Sequence, residues 1–325
     1  MSTKEYHLAR RRGRALRAGL IAVAAAAVLG GGLAVANAGS SGAGGSGTGQ
    51  GAAGEGAAGM GEAGAAEQGA IAAAQALASA GLEGANDFEC VASPAIPEDA
   101  EDPEPVILVH DTFRDGASNF AALAPEIAGA GLCVFALDYG ENGTAPLADS
   151  ATQLQTFVAG VLEATGASKV DLVGHGQGGL LPRVLVGPLG LAEQVDDIVA
   201  IAPATRGTDT PLEDPNFAEC AACADLAPDS EFLTQLNANG DVVPGPAYTV
   251  PWSIADDVIT PPDSQTLKGG EPEQVNNERM EFACLGRLDF DHALDQELAV
   301  ADIVLSAVQR EGPSDPGLAF RPARC

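Results

Sequence analysis

Residues Val170 to Gly179 read Val-Asp-Leu-Val-Gly-His-Gly-Gln-Gly-Gly. A short apolar run with strand character meets glycines at every second position, Gly174, Gly176 and Gly178, and a helical pattern follows. A strand that turns into a helix within so few residues needs glycine, which accepts backbone dihedrals and close approaches that a Cβ opposes. This stretch constrains the rest of the chain. It calls for alternating strands and helices, with the turn at the carboxyl edge of a mostly parallel sheet.

At 325 residues the chain is long enough for one large α/β domain. Its N-terminus stands apart from any fold. Arg10, Arg11, Arg12, Arg14 and Arg17 form a basic region, an alanine-rich apolar run extends from Ala18 to Val35, and Ala36-Asn37-Ala38 supplies an A-x-A cleavage pattern. Residues 1–38 therefore read as a secretory signal peptide, and the mature protein as extracellular with no membrane span after cleavage. A membrane anchor is the competing reading, but the run is rich in Ala and Gly and barely long enough for a bilayer. The paired arginines leave the general and twin-arginine export routes open.

Charge narrows the partners. The chain carries 45 acidic and 16 basic residues, a net charge of −29; cleavage after Ala38 removes six bases and one acid and leaves −34. Such a surface repels nucleic acid and anionic membranes. It also keeps a protein hydrated at high salt, where screening shortens the reach of self-repulsion, so adaptation to saline conditions is expected.

Six cysteines, Cys90, Cys133, Cys220, Cys223, Cys284 and Cys325, follow the signal peptide. An even count in an exported chain argues for three disulfides, with fifteen pairings possible in principle. Cys220-Ala-Ala-Cys223 lacks a second C-x-x-C or clustered histidines, so a local disulfide is expected there rather than zinc. Nothing in the sequence calls for a metal or a cofactor.

Residues 39–84 are almost entirely Gly, Ala and Ser with scattered Glu and Gln, a composition expected of a flexible linker, with a transient helix at Ala70–Ala80. The folded domain is expected over 85–325. Strands are expected at Val106–Val109, Leu132–Leu137, Lys169–Val173, Val195–Ile201, Tyr248–Ile254 and Arg279–Cys284. Helices are expected at Asn119–Gly129, along Leu154, Phe157, Val158, Val161 and Leu162, at Gln177–Leu189, and along Leu294 to Val308. Residues 205–245, with Pro211, Pro215 and Gly240, read as an irregular loop region.

The glycine turn has the layout of a nucleophile elbow, in which G-x-S-x-G lifts a serine above the sheet, yet Gly176 stands where the serine belongs. The chain-order requirements of such a site are otherwise met. His110-Asp111-Thr112-Phe113 follows an early strand and suits an oxyanion turn. Asp256 and Asp257 follow a late strand and are equal candidates for the acid on composition. His292 is the one histidine placed as a base, since His7 leaves with the signal peptide and His110 and His175 sit in the two turns.

Residues from about Phe88 to Cys325 resemble the secreted class 2 lipases of actinobacteria, single-domain α/β-hydrolases that cleave carboxylic esters of lipids. The resemblance rests on Val106–Phe113, Cys133–Gly140, Val170–Gly179, Cys220–Cys223 and Ser253–Pro261. It implies an α/β-hydrolase fold with helices on both faces of the sheet and a lipid or other ester-like apolar ligand. It implies Asp256 as catalytic acid, His292 as base, and the backbone N–H groups of Thr112 and Gln177 as oxyanion hole. It further implies the pairs Cys90–Cys133, Cys220–Cys223 and Cys284–Cys325, the first closing a loop worth about 4 kcal/mol in the chain-entropy model.

Two residues depart from the family pattern. Gly176 replaces the nucleophile serine, and Asp111 replaces a glycine of the oxyanion turn, putting a carboxylate where negative charge would develop. The first expectation is therefore a pseudoenzyme, a lipase-like protein with ester hydrolysis lost or very weak. The alternative is an altered hydrolase, in which the Asp256–His292 pair activates a water or Asp111 itself acts as nucleophile or acid/base.

Overall fold

The computed structural model describes residues 58–90, 103–212, 214, 219–316 and 324–325. The expected signal peptide, the linker up to residue 57 and the tail at 317–323 lie outside the described residues. The folded unit spans Glu62–Cys325.

Six parallel strands form one sheet in the order β2-β1-β3-β4-β5-β6. They are β1 (Val106–Val109), β2 (Val134–Leu137), β3 (Val170–His175), β4 (Val195–Ile201), β5 (Ala247–Trp252) and β6 (Val275–Arg279). The central strands are apolar along their length because both faces are covered. In β1, Ile107 and Val109 enter one core with Phe135, Leu137, Phe157 and Leu180, while Val106 and Leu108 enter the other with Phe120, Ile127, Val300 and Val304. This is the α/β-hydrolase architecture expected from the sequence.

The helices that build these cores are α1 (Ala58–Leu77), α2 (Leu123–Gly129), α3 (Leu147–Thr165), α4 (Gln177–Val186) and α5 (Leu298–Val308). Helix α3 stops at Gly166, which takes the left-handed conformation as a C-cap. All three disulfides join the expected pairs, Cys90–Cys133, Cys220–Cys223 and Cys284–Cys325.

Four expectations are corrected. The flexible linker expected to residue 84 gives way to helix from Ala58, and α1 docks so closely on α3 that a Cβ on Gly160 would lie 2.3 Å from that of Ala74. Small side chains, read from composition as unable to bury area, here permit the close approach. The helix at 119–129 is split into Gly116–Phe120 and α2, the first started by a capping box between Asp115 and Ser118. The last strand ends at Arg279, where it was expected to begin, and Met280–Ala283 is a helical turn. The loop region 205–245 contains short helices at Ala221–Asp225 and Glu231–Asn237, the second capped by Ser230.

Candidate active site

The carboxyl ends of β1, β3 and β5 and the loop after β6 bring the sequence-predicted residues together. At the end of β3 the elbow keeps its tight geometry. Gly174 and Gly178 have no room for a side chain: a Cβ on either would lie 2.0 Å from a backbone oxygen, that of Gly178 or Val109. Gly176 has φ 51° and ψ −117° and anchors its N–H on Ile201 O at 2.9 Å.

The oxyanion turn leaves β1 through His110, which is fully buried. Its ring stacks on Tyr139 with centroids 4.1 Å apart. Its Nδ1–H donates to Asp111 O at 2.8 Å and its Nε2 accepts from Tyr139 N at 3.2 Å, a neutral tautomer in keeping with burial lowering its pKa. Tyr139 returns a hydrogen bond from its hydroxyl to His110 O at 2.6 Å. Thr112 Oγ1 donates to Gln177 Oε1 at 2.9 Å, clamping the turn that carries the Thr112 N–H to the elbow.

Asp256, and not the exposed Asp257, is buried and faces His292. Its Oδ1 accepts from Val258 N and Ile259 N, both at 2.9 Å, and its Oδ2 lies 2.9 Å from His292 Nδ1. These bonds form a small Asx turn that fixes the carboxylate toward the histidine. The choice between the two aspartates, open on composition, follows from this geometry.

The other side of His292 faces an unexpected partner. Its Nε2 lies 3.1 Å from Asp111 Oδ2. Asp111 Oδ1 accepts the backbone N–H of Gln177 at 2.8 Å. A Cβ placed on Gly176 would lie 2.0 Å from Asp111 Oδ1 and 2.7 Å from Oδ2. The Asp111 carboxylate thus fills the space above the elbow that a serine side chain would occupy. The Asp111 side chain reaches this space from the opposite turn, and Gly176, with no Cβ, leaves room for it.

The charges follow. Burial opposes ionisation of Asp111, but the hydrogen bond and charge of His292, with the Gln177 N–H, hold its carboxyl well below the usual carboxylate range. Burial likewise opposes charge on His292, yet the Asp111 and Asp256 carboxylates push its pKa up to about 10. His292 thus sits between two carboxyl groups, an arrangement that favours its charged form.

Four supporting residues, Asn119, His175, Ser253 and Glu281, are given no role in the site from the sequence. Asn119 Oδ1 accepts Asp111 N at 2.7 Å, and its Nδ2 donates to His175 Nδ1 at 3.1 Å. His175 Nε2–H donates to His292 O at 2.8 Å, with the two rings stacked 4.7 Å apart. Ser253 Oγ lies 2.7 Å from both Glu281 Oε1 and Phe290 O, tying the acid loop to the base loop. Glu281 also accepts from Ile254 N at 3.1 Å. Only the His175 turn and the Ser253 segment fall inside motifs.

Asp111, His175 and His292 bring potential metal ligands within 4.8 Å of one another. The ring nitrogens of both histidines are already engaged by Asn119, the His292 carbonyl and the two carboxylates, so the set is knit as a hydrogen-bond relay. Trp252, Asn277, Glu278, Arg279, Phe282 and Leu285 line a groove, and Phe282 and Leu285 are exposed.

Residues 103–296 match the class 2 lipase family. A triacylglycerol lipase of Burkholderia plantarii is 35% identical over 154 residues, which cover 42% of this chain. The chain spans only 40% of that lipase's length. Among solved structures, lipase B of Aspergillus fumigatus superposes with a TM-score of 0.60 at 20% identity, over 70% of this chain and 60% of that one. The mature Bacillus licheniformis lipase BlEst2 gives 0.52 at 13% identity, over 66% and 94%. With the strand order, the elbow and the family match in agreement, the chain belongs to the class 2 lipase family of lipase- and esterase-like α/β hydrolases.

Proposed function

We propose that this protein is an exported lipase-fold protein in which serine-dependent ester hydrolysis is lost or very weak, while the scaffold keeps an affinity for lipid-like or other apolar ester-like ligands. One observation carries the reading: the Asp111 carboxylate fills the space above Gly176 and takes the Gln177 N–H that would stabilise an ester oxyanion. Three requirements of acyl transfer then fail together. The elbow carries no hydroxyl, the base is flanked by two carboxyl groups that favour its charged form, and the oxyanion donor is taken by a carboxylate. The water-activating alternative has less support, because the carboxylate occupies the vacated space and keeps His292 charged.

The apolar groove along Trp252, Phe282 and Leu285 supports an apolar ligand. The three disulfides support export to an oxidising compartment, in keeping with the signal peptide read at 1–38.

The test compares hydrolysis of short-chain p-nitrophenyl esters by four proteins. Wild type and Gly176→Ser stay near background, the second because the new side chain collides with Asp111. Gly176→Ser combined with Asp111→Gly raises kcat by about 10³-fold or more, the scale of an intact triad over its residual. Turnover by the wild type that vanishes in His292→Ala would overturn the reading.

A further inference from the structure

We propose that Asp111 is a nucleophile toward saturated carbon: its carboxylate displaces halide from a primary haloalkane, and the Asp256–His292 pair then hydrolyses the resulting ester. The inference rests on the same vacated elbow as the loss of serine chemistry, but it stands or falls on different substrates.

The placement is that of a nucleophile. Asp111 Oδ2 sits 3.1 Å from His292 Nε2, in the place a serine hydroxyl would take but as the acceptor of the imidazolium N–H. Oδ1 sits on the Gln177 N–H at 2.8 Å. The backbone behind it is held at 2.7 Å by Asn119. The side chains of Asp111 and His292 keep 15% and 12% of their surface exposed.

Leaving-group chemistry selects the substrate. A carboxylate adding to an ester carbonyl gives a tetrahedral adduct that carries two possible leaving groups, and the carboxylate is a far weaker base than the alkoxide. The adduct therefore returns to reactants. At a saturated carbon bearing halide the order is reversed, because halide is the weaker base. The Asp111 C–O bond forms as the carbon–halogen bond breaks, and the electron pair leaves with the halide.

The second half follows from the charges that face His292, which are Asp256, Asp111 and, through the stacked ring, His175 with Asp295 beyond it. Alkylation makes Asp111 neutral and removes one of the two carboxylates that hold the proton on His292. The imidazolium releases that proton to solvent and becomes a base at the step that needs one. Neutral Nε2 takes a proton from water as the water oxygen bonds to the Asp111 ester carbon. The Gln177 N–H now faces the carbonyl oxygen where negative charge develops. Collapse expels the alcohol oxygen, which takes the proton back from His292, and the carboxylate is regenerated. The sum is haloalkane and water to alcohol, halide and a proton. The alcohol carries an oxygen that began on Asp111, and water replaces it.

The experiment incubates the full chain with 1-bromohexane and follows bromide and hexanol. Wild type releases both, Asp111→Asn falls to background, and His292→Gln stops after one equivalent with a hexyl ester on the Asp111 peptide. In ¹⁸O-water, wild-type Asp111 gains the label during turnover, a readout that needs no variant to fold. Bromide release no faster than Asp111→Asn, with neither a hexyl ester nor ¹⁸O on Asp111, overturns the proposal. Ester hydrolysis by the Gly176→Ser, Asp111→Gly protein reports separately on the loss of serine chemistry.

Discussion

At the scale of the residue, two residues 65 positions apart, Asp111 and Gly176, share one space. The sequence displays both departures, Gly176 and Asp111, but as separate lesions in separate turns. What is not legible is that the second side chain ends within 2.0 Å of where a Cβ on the first would begin. No local pattern encodes that distance, because it depends on how β1 and β3 are paired. Asp256 and His292 were legible by order in the chain, while Asn119 was not, because one polar residue in an apolar helical stretch has no distinguishing context. The charge state gives a prediction. His292, pushed up to about 10, remains an imidazolium at pH 8 in histidine NMR, and Asp111→Asn lowers its pKa by about one unit or more. Stability follows with a defined sign. The raised His292 contributes fully below its unfolded value of 6.5 and loses that contribution as pH rises through about 10. The depressed Asp111 contributes above its unfolded value of 3.8 and loses that contribution on acidification below it. The Tm difference between wild type and Asp111→Asn is therefore greatest between pH 3.8 and 6.5 and shrinks on both sides.

At the scale of the element, the parallel strands were read correctly where both faces are apolar and less well where polar residues dominate. Val275-Asn-Asn-Glu-Arg279 makes strand β6 with no hydrophobic pattern, because it pairs along β5 at the outside of the sheet. At the opposite end of the sheet from the active site, an irregularity between β3 and β4 collects Asp171, Asp196 and Asp197, with Lys169 bonded to Asp196. Asp171 Oδ2 and Asp197 Oδ1 are buried with no hydrogen-bond partner among the described residues. Burial, then the charges of Asp196 and Glu104, raises the Asp197 pKa to about 8. A raised carboxyl is most stable protonated, so the folded state loses stability as pH climbs from the unfolded value of 3.8 through about 8. Asp197→Asn accordingly matches wild type in acid and is more stable at pH 8, by on the order of a few kcal/mol at about 1.4 kcal/mol per pKa unit. Denaturant melts at the two pH values measure it. The α1–α3 contact is as specific: Gly160→Ala forces a Cβ against Ala74 and costs about 1–3 kcal/mol, or undocks α1, which circular dichroism and limited proteolysis distinguish.

At the scale of the whole molecule, net charge and sheet edges govern behaviour. With 45 acids and 16 bases, self-repulsion is screened by salt, so Tm rises between low and molar sodium chloride. A flat response would remove saline adaptation from the account. The segment after α1 has a consequence for how this protein survives outside its own context. Leu77 O, Ser79 N and Asn86 N hydrogen-bond along β2, the outermost strand, through Asp138 N, Ala136 O and Val134 O. The side chain of Asn86 adds a bond from Ala136 N. Residues 77–86 are thus a built-in guard over an edge that would otherwise be a template for another chain. The family match begins at residue 103 and leaves this guard out. A fragment cut at that boundary would bare the edge of β2 and, having lost Cys90, free the thiol of Cys133 one residue before the strand. Two such fragments would meet edge to edge with their thiols side by side. Light scattering should find that fragment in covalent dimers and larger aggregates, where the full chain stays single.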